Sequence, residues 1–68
     1  MDIDHLVVMA NQIARNLAAR GEDAAVELMV EHIRDFWDPR MKAGILTADP
    51  KRLDRIAAKA IAQLGVRH

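Results

Sequence analysis

A chain of 68 residues with ten acidic and ten basic side chains, no cysteine and 51% hydrophobic residues is already narrowly bounded. One domain of this length buries only about 60% of the surface its unfolded chain exposes, and a single core this small supplies about 3–5 kcal/mol. The absence of Cys excludes disulfides, thiolate zinc sites and iron–sulfur clusters as staples, which leaves unusually good helix packing or a partner. The regular apolar spacing excludes disorder.

The apolar content is mostly Ala, Leu, Ile, Val and Met, with one Phe and one Trp, a mixture that loses little side-chain freedom in helices. No apolar run approaches the roughly 18–20 residues of a membrane span. The acidic start, Met1-Asp2-Ile3-Asp4-His5, lacks the basic region of a secretory signal. These features predict a soluble, cytoplasmic protein without a membrane partner. The zero net charge hides an asymmetry: residues 22–38 carry six carboxylates against Arg34, and residues 39–68 carry seven cations against Asp49 and Asp54. Such halves attract each other or form two different surfaces.

In chain order, Ile3, Leu6, Ala10, Ile13 and Leu17 form one stripe at helical spacing. Asp2 or Asp4 caps this first helix, and Gly21 is placed to end it in a left-handed conformation. A second helix is predicted from about Asp23 to Trp37, its stripe Val26, Met29, Val30, Ile33, Phe36 and Trp37, its opposite face Glu27, Glu31, Arg34 and Asp35. Asp38-Pro39 breaks it, because proline disfavours a helical residue before it. Asp followed by Pro also starts helices, and it occurs twice. At Asp38-Pro39 it predicts a short helix to about Leu46, interrupted by Gly44. At Asp49-Pro50 it predicts a full helix with Leu53, Ile56, Ala57, Ala60, Ile61 and Leu64 on its stripe, closed by Gly65, with Val66-Arg67-His68 frayed. No segment alternates with period two. The expected fold is all-α, a single domain over residues 1–68: a small bundle of three main helices with a short connecting helix.

Some residues do not fit their helix. Val8 falls opposite the first stripe and Met9 on its flank, while Leu28 lies on the acidic side of the second helix. Single exposed apolar residues are ordinary; alternatively they mark a second apolar surface that meets another chain. Chemistry is densest in His32-Ile33-Arg34-Asp35-Phe36-Trp37-Asp38-Pro39-Arg40-Met41. Phe36 is expected to anchor the core. Trp37, Arg40 and Met41, at a helix break, are expected to project outward, and Trp flanked by Arg34 and Arg40 has the composition of an interface hot spot.

Independent catalysis finds little support. Thr47 is the only hydroxyl residue beside an absence of Ser, Cys and Tyr, the three glycines are isolated, and the scattered histidines form neither a zinc-protease nor a di-iron pattern. His5 beside Asp2 and Asp4 reads as helix-capping acids next to an exposed imidazole. Lys51, Arg52, Arg55 and Lys59 on the last helix invite a nucleic-acid-binding reading, but the pI near 6.8 argues against a basic footprint.

Two stretches, His5-Leu6-Val7-Val8-Met9-Ala10-Asn11-Gln12-Ile13-Ala14 and His32-Ile33-Arg34-Asp35-Phe36-Trp37-Asp38-Pro39-Arg40-Met41, together resemble the small delta subunit of bacterial NAD-dependent, molybdenum-containing formate dehydrogenases. The part after Leu46 matches only as an amphipathic helix. The resemblance implies an accessory subunit that is not itself an enzyme and binds no cofactor, supporting assembly or stability of the complex by docking on its larger subunits, chiefly the catalytic one. It implies that the molybdenum cofactor, iron–sulfur clusters, FMN and NAD sit on those partner subunits. No catalytic, cofactor-binding or metal-ligating residue carries over to this chain. The candidate partner-interface residues are Val8, Met9, Asn11, Gln12, Leu28, Trp37, Asp38, Pro39, Arg40 and Met41, with Phe36 in the same motif. A transient maturation factor for cofactor insertion, and a free-standing helical nucleic-acid binder, are the alternative functions.

Overall fold

The all-α expectation holds in a computed structural model that describes residues 2–67: four α-helices and two 3-10 turns, with no strand among the described residues. Helix α1 runs Ile3–Leu17. Of the two candidate caps, Asp2 does the work: its carboxylate accepts from the Asp4 N–H at 3.0 Å, satisfying one of the donors a helix start leaves bare. A 3-10 turn, Ala18–Arg20, follows. Gly21 then takes φ 94°, ψ 149°, so its positive φ is as expected but its backbone is extended rather than left-handed helical, a region essentially reserved for glycine. Its carbonyl accepts from the Ala25 N–H at 2.9 Å and opens the next helix.

Helix α2 spans Glu22–Phe36 and α3 spans Pro39–Leu46. The break between them is the Asp38-Pro39 signal realised: Asp38 Oδ1 accepts from the Met41 N–H at 2.9 Å, with Pro39 in the first turn. Gly44 does not interrupt α3. A Cβ there would stand 2.8 Å from Leu6 Cδ1 and 3.2 Å from Ile3 Cδ1, so the glycine is what lets α3 lie close on α1.

The last helix starts later than Asp49-Pro50 suggests. Asp49 caps only a 3-10 turn, Pro50–Arg52, and Leu53 then goes extended at φ −94°, ψ 141°. Asp54 is the effective cap, its Oδ1 accepting from the Ile56 N–H at 2.9 Å, and α4 runs Arg55–Arg67. Leu53 therefore leaves the α4 stripe but still packs, half-buried, against the core. Gly65 and Val66 are helical rather than a stop and a frayed end, and a Cβ at Gly65 would stand 3.1 Å from Leu46 Cδ2. His68 lies outside the described residues.

The α2–α4 pairing is the most extensive, and α1 packs on α2, α3 and α4. Ala10, Ala14, Ala25, Ala57 and Ala60 are fully buried where helices cross, so backbones approach closely, while Leu6, Met29, Ile33 and Ile45 fill the space between. The radius of gyration is 10.6 Å, against about 11 Å expected of a globular chain this long. The bundle is closed, so apolar groups left outside are surface features and not an open core.

The two aromatics exchange the places expected of them. Trp37 is 5% exposed and belongs to the core, whereas Phe36 is 76% exposed. The α-helical conformation stops at Phe36, and Trp37 turns extended at φ −88°, ψ 136°. That turn carries the indole into the bundle, and Phe36 stays on the last turn of α2, outside it.

Candidate functional site

The ten candidate interface residues divide between structural duty and true exposure. Asn11 is the clearest structural case. Its Nδ2 donates to the Arg52 carbonyl at 3.0 Å, and its Oδ1 accepts from the Asp54 N–H at 2.7 Å. One amide thus grips both sides of the bend that precedes α4, and the Asp4–Arg52 ion pair at 2.6 Å reinforces it. Trp37 is buried, correcting the expectation that it projects outward. Met9 and Met41 are half-buried against the core, Leu28 is half-buried, and Asp38 holds the start of α3 through the Met41 N–H. Val8, Gln12, Pro39 and Arg40 are exposed, Val8 at 56%.

These residues are spread over α1, α2 and the α2–α3 corner. What the structure does bring together at the α2–α3 corner is different. On α2, Phe36 lies one turn from His32, their rings 5.0 Å apart and tilted by 34°. On the side where α2, α3 and α4 meet, a cleft of about 350 Å³ is lined by Val30, Arg34, Pro39, Lys42, Ala43, Leu46 and Leu64. Of these, only Pro39 belongs to the candidate set. The others escaped because the cleft joins three separate helices, although Arg34, the lone cation of an acidic segment, was a visible signal.

Among the described residues, ion pairs join the acidic middle to the basic tail at Glu22. Glu22, on the first turn of α2, accepts from Lys59 and pairs with Arg55 at 3.0 Å. The Lys59 hydrogen bond and the two cations hold its carboxyl below the ordinary value, against an opposing effect of burial. Three of the four cations that suggested nucleic-acid binding (Arg52, Arg55 and Lys59) are therefore paired with carboxylates of this chain.

Among the described residues, no three or more His, Cys, Asp or Glu side chains are grouped to hold a metal ion. No described helix is long and apolar enough to cross a membrane. A family model described as NADH-dependant formate dehydrogenase delta subunit FdsD matches residues 5–61. No curated protein and no solved structure matches the chain.

Proposed function

Since this chain belongs to the NADH-dependant formate dehydrogenase delta subunit family, we propose that it is a non-catalytic accessory subunit that supports assembly or stability of the complex by docking on its larger subunits, chiefly the catalytic one. As a delta subunit it associates with other subunits; the molybdenum cofactor, iron–sulfur clusters, FMN and NAD are assigned to those. The cytoplasm is the compartment that goes with this reading.

The observation that carries the docking role is Phe36. A chain with a single phenylalanine and a small core leaves that ring 76% exposed, where its burial would add about 1.5–3 kcal/mol. Set at the end of α2, that ring supports the reading as an aromatic group left for a partner surface to cover. Val8 and Leu46 add further apolar area outside the core.

The test is purification of the dehydrogenase from cells that express all subunits, with and without this chain. The expected result is a stoichiometric 7.6 kDa component and loss of formate-dependent NAD reduction when it is deleted. A fully active complex that never contains the chain, and does not need it, refutes the reading.

A further inference from the structure

We propose that the cleft between α2, α3 and α4 is the seat of an acidic, apolar segment of a partner subunit: one bulky aliphatic or aromatic side chain in the cleft and an Asp or Glu on its cationic rim. The inference rests on the accessory-subunit reading and adds the chemistry of the partner.

The floor of the cleft is aliphatic. Val30 and Leu64 are core residues whose outer edges reach it, and Leu46, 37% exposed, walls it together with exposed Ala43. The rim is cationic, formed by Arg34 and Lys42, and no carboxylate lines it. Arg34 is only loosely engaged, its Nε 3.9 Å from the neighbouring Asp35 with both side chains more than half exposed. Lys42 donates one N–H to the Arg34 carbonyl at 2.9 Å, which fixes its ammonium over the end of α2. An ammonium carries three donors, so two remain for an incoming carboxylate. The nearby Asp38 carboxylate is turned to the start of α3, where it accepts from the Met41 N–H.

Size and symmetry select the occupant. About 350 Å³ lies at the small end of ligand-sized clefts, about 300–1,000 Å³, enough for one or two anchoring side chains. The acidic α2 face of a second copy has suitable chemistry, but that would join two different faces of one chain, a contact that must close into a ring of copies or else run on as a filament. A segment of a different subunit avoids that.

Ala43 is the position to probe, because it is exposed and lines the cleft without joining the core. The full chain is co-expressed with the larger subunits as wild type, Ala43→Glu, Ala43→Lys, Arg34→Glu and Phe36→Asp, and retention in the purified complex is measured with helix content checked by circular dichroism. Ala43→Glu and Arg34→Glu are expected to lower retention at least about tenfold with helix content unchanged, and Ala43→Lys much less, since like charges across an interface weaken it strongly. A photo-crosslinking benzoylphenylalanine at position 43 is expected to capture one segment of a larger subunit that carries Asp or Glu beside an apolar residue.

The proposal is overturned by equal losses for Ala43→Glu and Ala43→Lys, or by a crosslinked segment without a carboxylate. Crosslinking to a second copy overturns it, as does binding of decanoate in the cleft of a chain whose Ala43→Glu form assembles normally. Failure of the wild-type chain to be retained at all refutes the accessory-subunit reading itself. Retention lost with Phe36→Asp but kept with both cleft variants leaves that reading standing and removes the cleft from it.

Discussion

Replacing Asn11 with alanine separates a clasp from a docking group. The side chain makes two hydrogen bonds across more than forty residues, donating to the Arg52 carbonyl and accepting from the Asp54 N–H. Each is expected to contribute about 0.5–1.5 kcal/mol net, so the pair is worth about 1–3 kcal/mol. Leaving the part-buried Asp54 N–H without a partner places the cost in the upper half of that span. Asp54 also caps α4 through the Ile56 N–H, so a loosened bend weakens the start of that helix. A chain with about 3–5 kcal/mol in all loses a large share of its stability. For a domain of this size each kcal/mol shifts the melting temperature by about 4–8 °C, which predicts a fall of about 8–24 °C for Asn11→Ala. Thermal and urea unfolding of the isolated chain measure it, with Gln12→Ala, an exposed neighbour on α1, as the control expected to stay within about 0.5 kcal/mol of wild type. If Asn11→Ala melts like wild type but no longer enters the complex, the clasp is wrong and Asn11 belongs to the interface.

Five further substitutions follow from the same geometry. Trp37→Ala removes a core indole at a cost of about 3–5 kcal/mol, comparable with the whole stability, so the isolated chain is expected to unfold; Phe36→Asp is expected to melt like wild type while entering the complex poorly, and the opposite pair of results refutes the assignment of core and surface. Gly21→Ala, at a φ of 94° that side chains avoid, is expected to destabilise by about 1–3 kcal/mol, whereas Gly65→Ala inside α4 is expected to stabilise by up to about 1 kcal/mol, since only the movable end of Leu46 stands near its new Cβ; a loss at Gly65 in urea unfolding would show that Leu46 cannot give way and refute the expectation. Because Lys59 and Arg55 hold the Glu22 carboxyl below its ordinary value of 4.5, the stability they give is complete above about pH 4.5 and declines as pH falls through the lowered value, the unfolded chain taking up the proton first. Glu22→Gln is therefore expected to melt below wild type at neutral pH, with the gap closing in acid, and a gap that stays constant down the pH series refutes the ion pair.

What the sequence shows of this fold is what local chemistry decides. The α1 stripe from Ile3 to Leu17 and the Asp38-Pro39 start of α3 need only helical spacing and a cap, and both stand as read. At Asp49-Pro50 the same signal yields one 3-10 turn, because Asn11, far back in the chain, grips the peptide groups on both sides of Leu53 and holds the bend open until Asp54. Nothing near Asp49 announces that grip. The cleft is hidden for a similar reason, since Val30, Lys42 and Leu64 become neighbours only when α2, α3 and α4 are in place. The aromatic pair is the sharpest case. Both rings lie on the apolar side of a continued α2, and periodicity alone cannot tell them apart. The backbone leaves the helix between them, with Trp37 at ψ 136°, so one extended residue turns the larger ring inward. Trp37 then occupies the space at the α2–α3 corner, and the core keeps one aromatic of the two. The other remains in solvent beside His32, on the turn of α2 whose last carbonyls Lys42 reaches from the rim of the cleft. The packing that fixes Trp37 in the core is thus what sets Phe36 and the cleft on either side of one helix end.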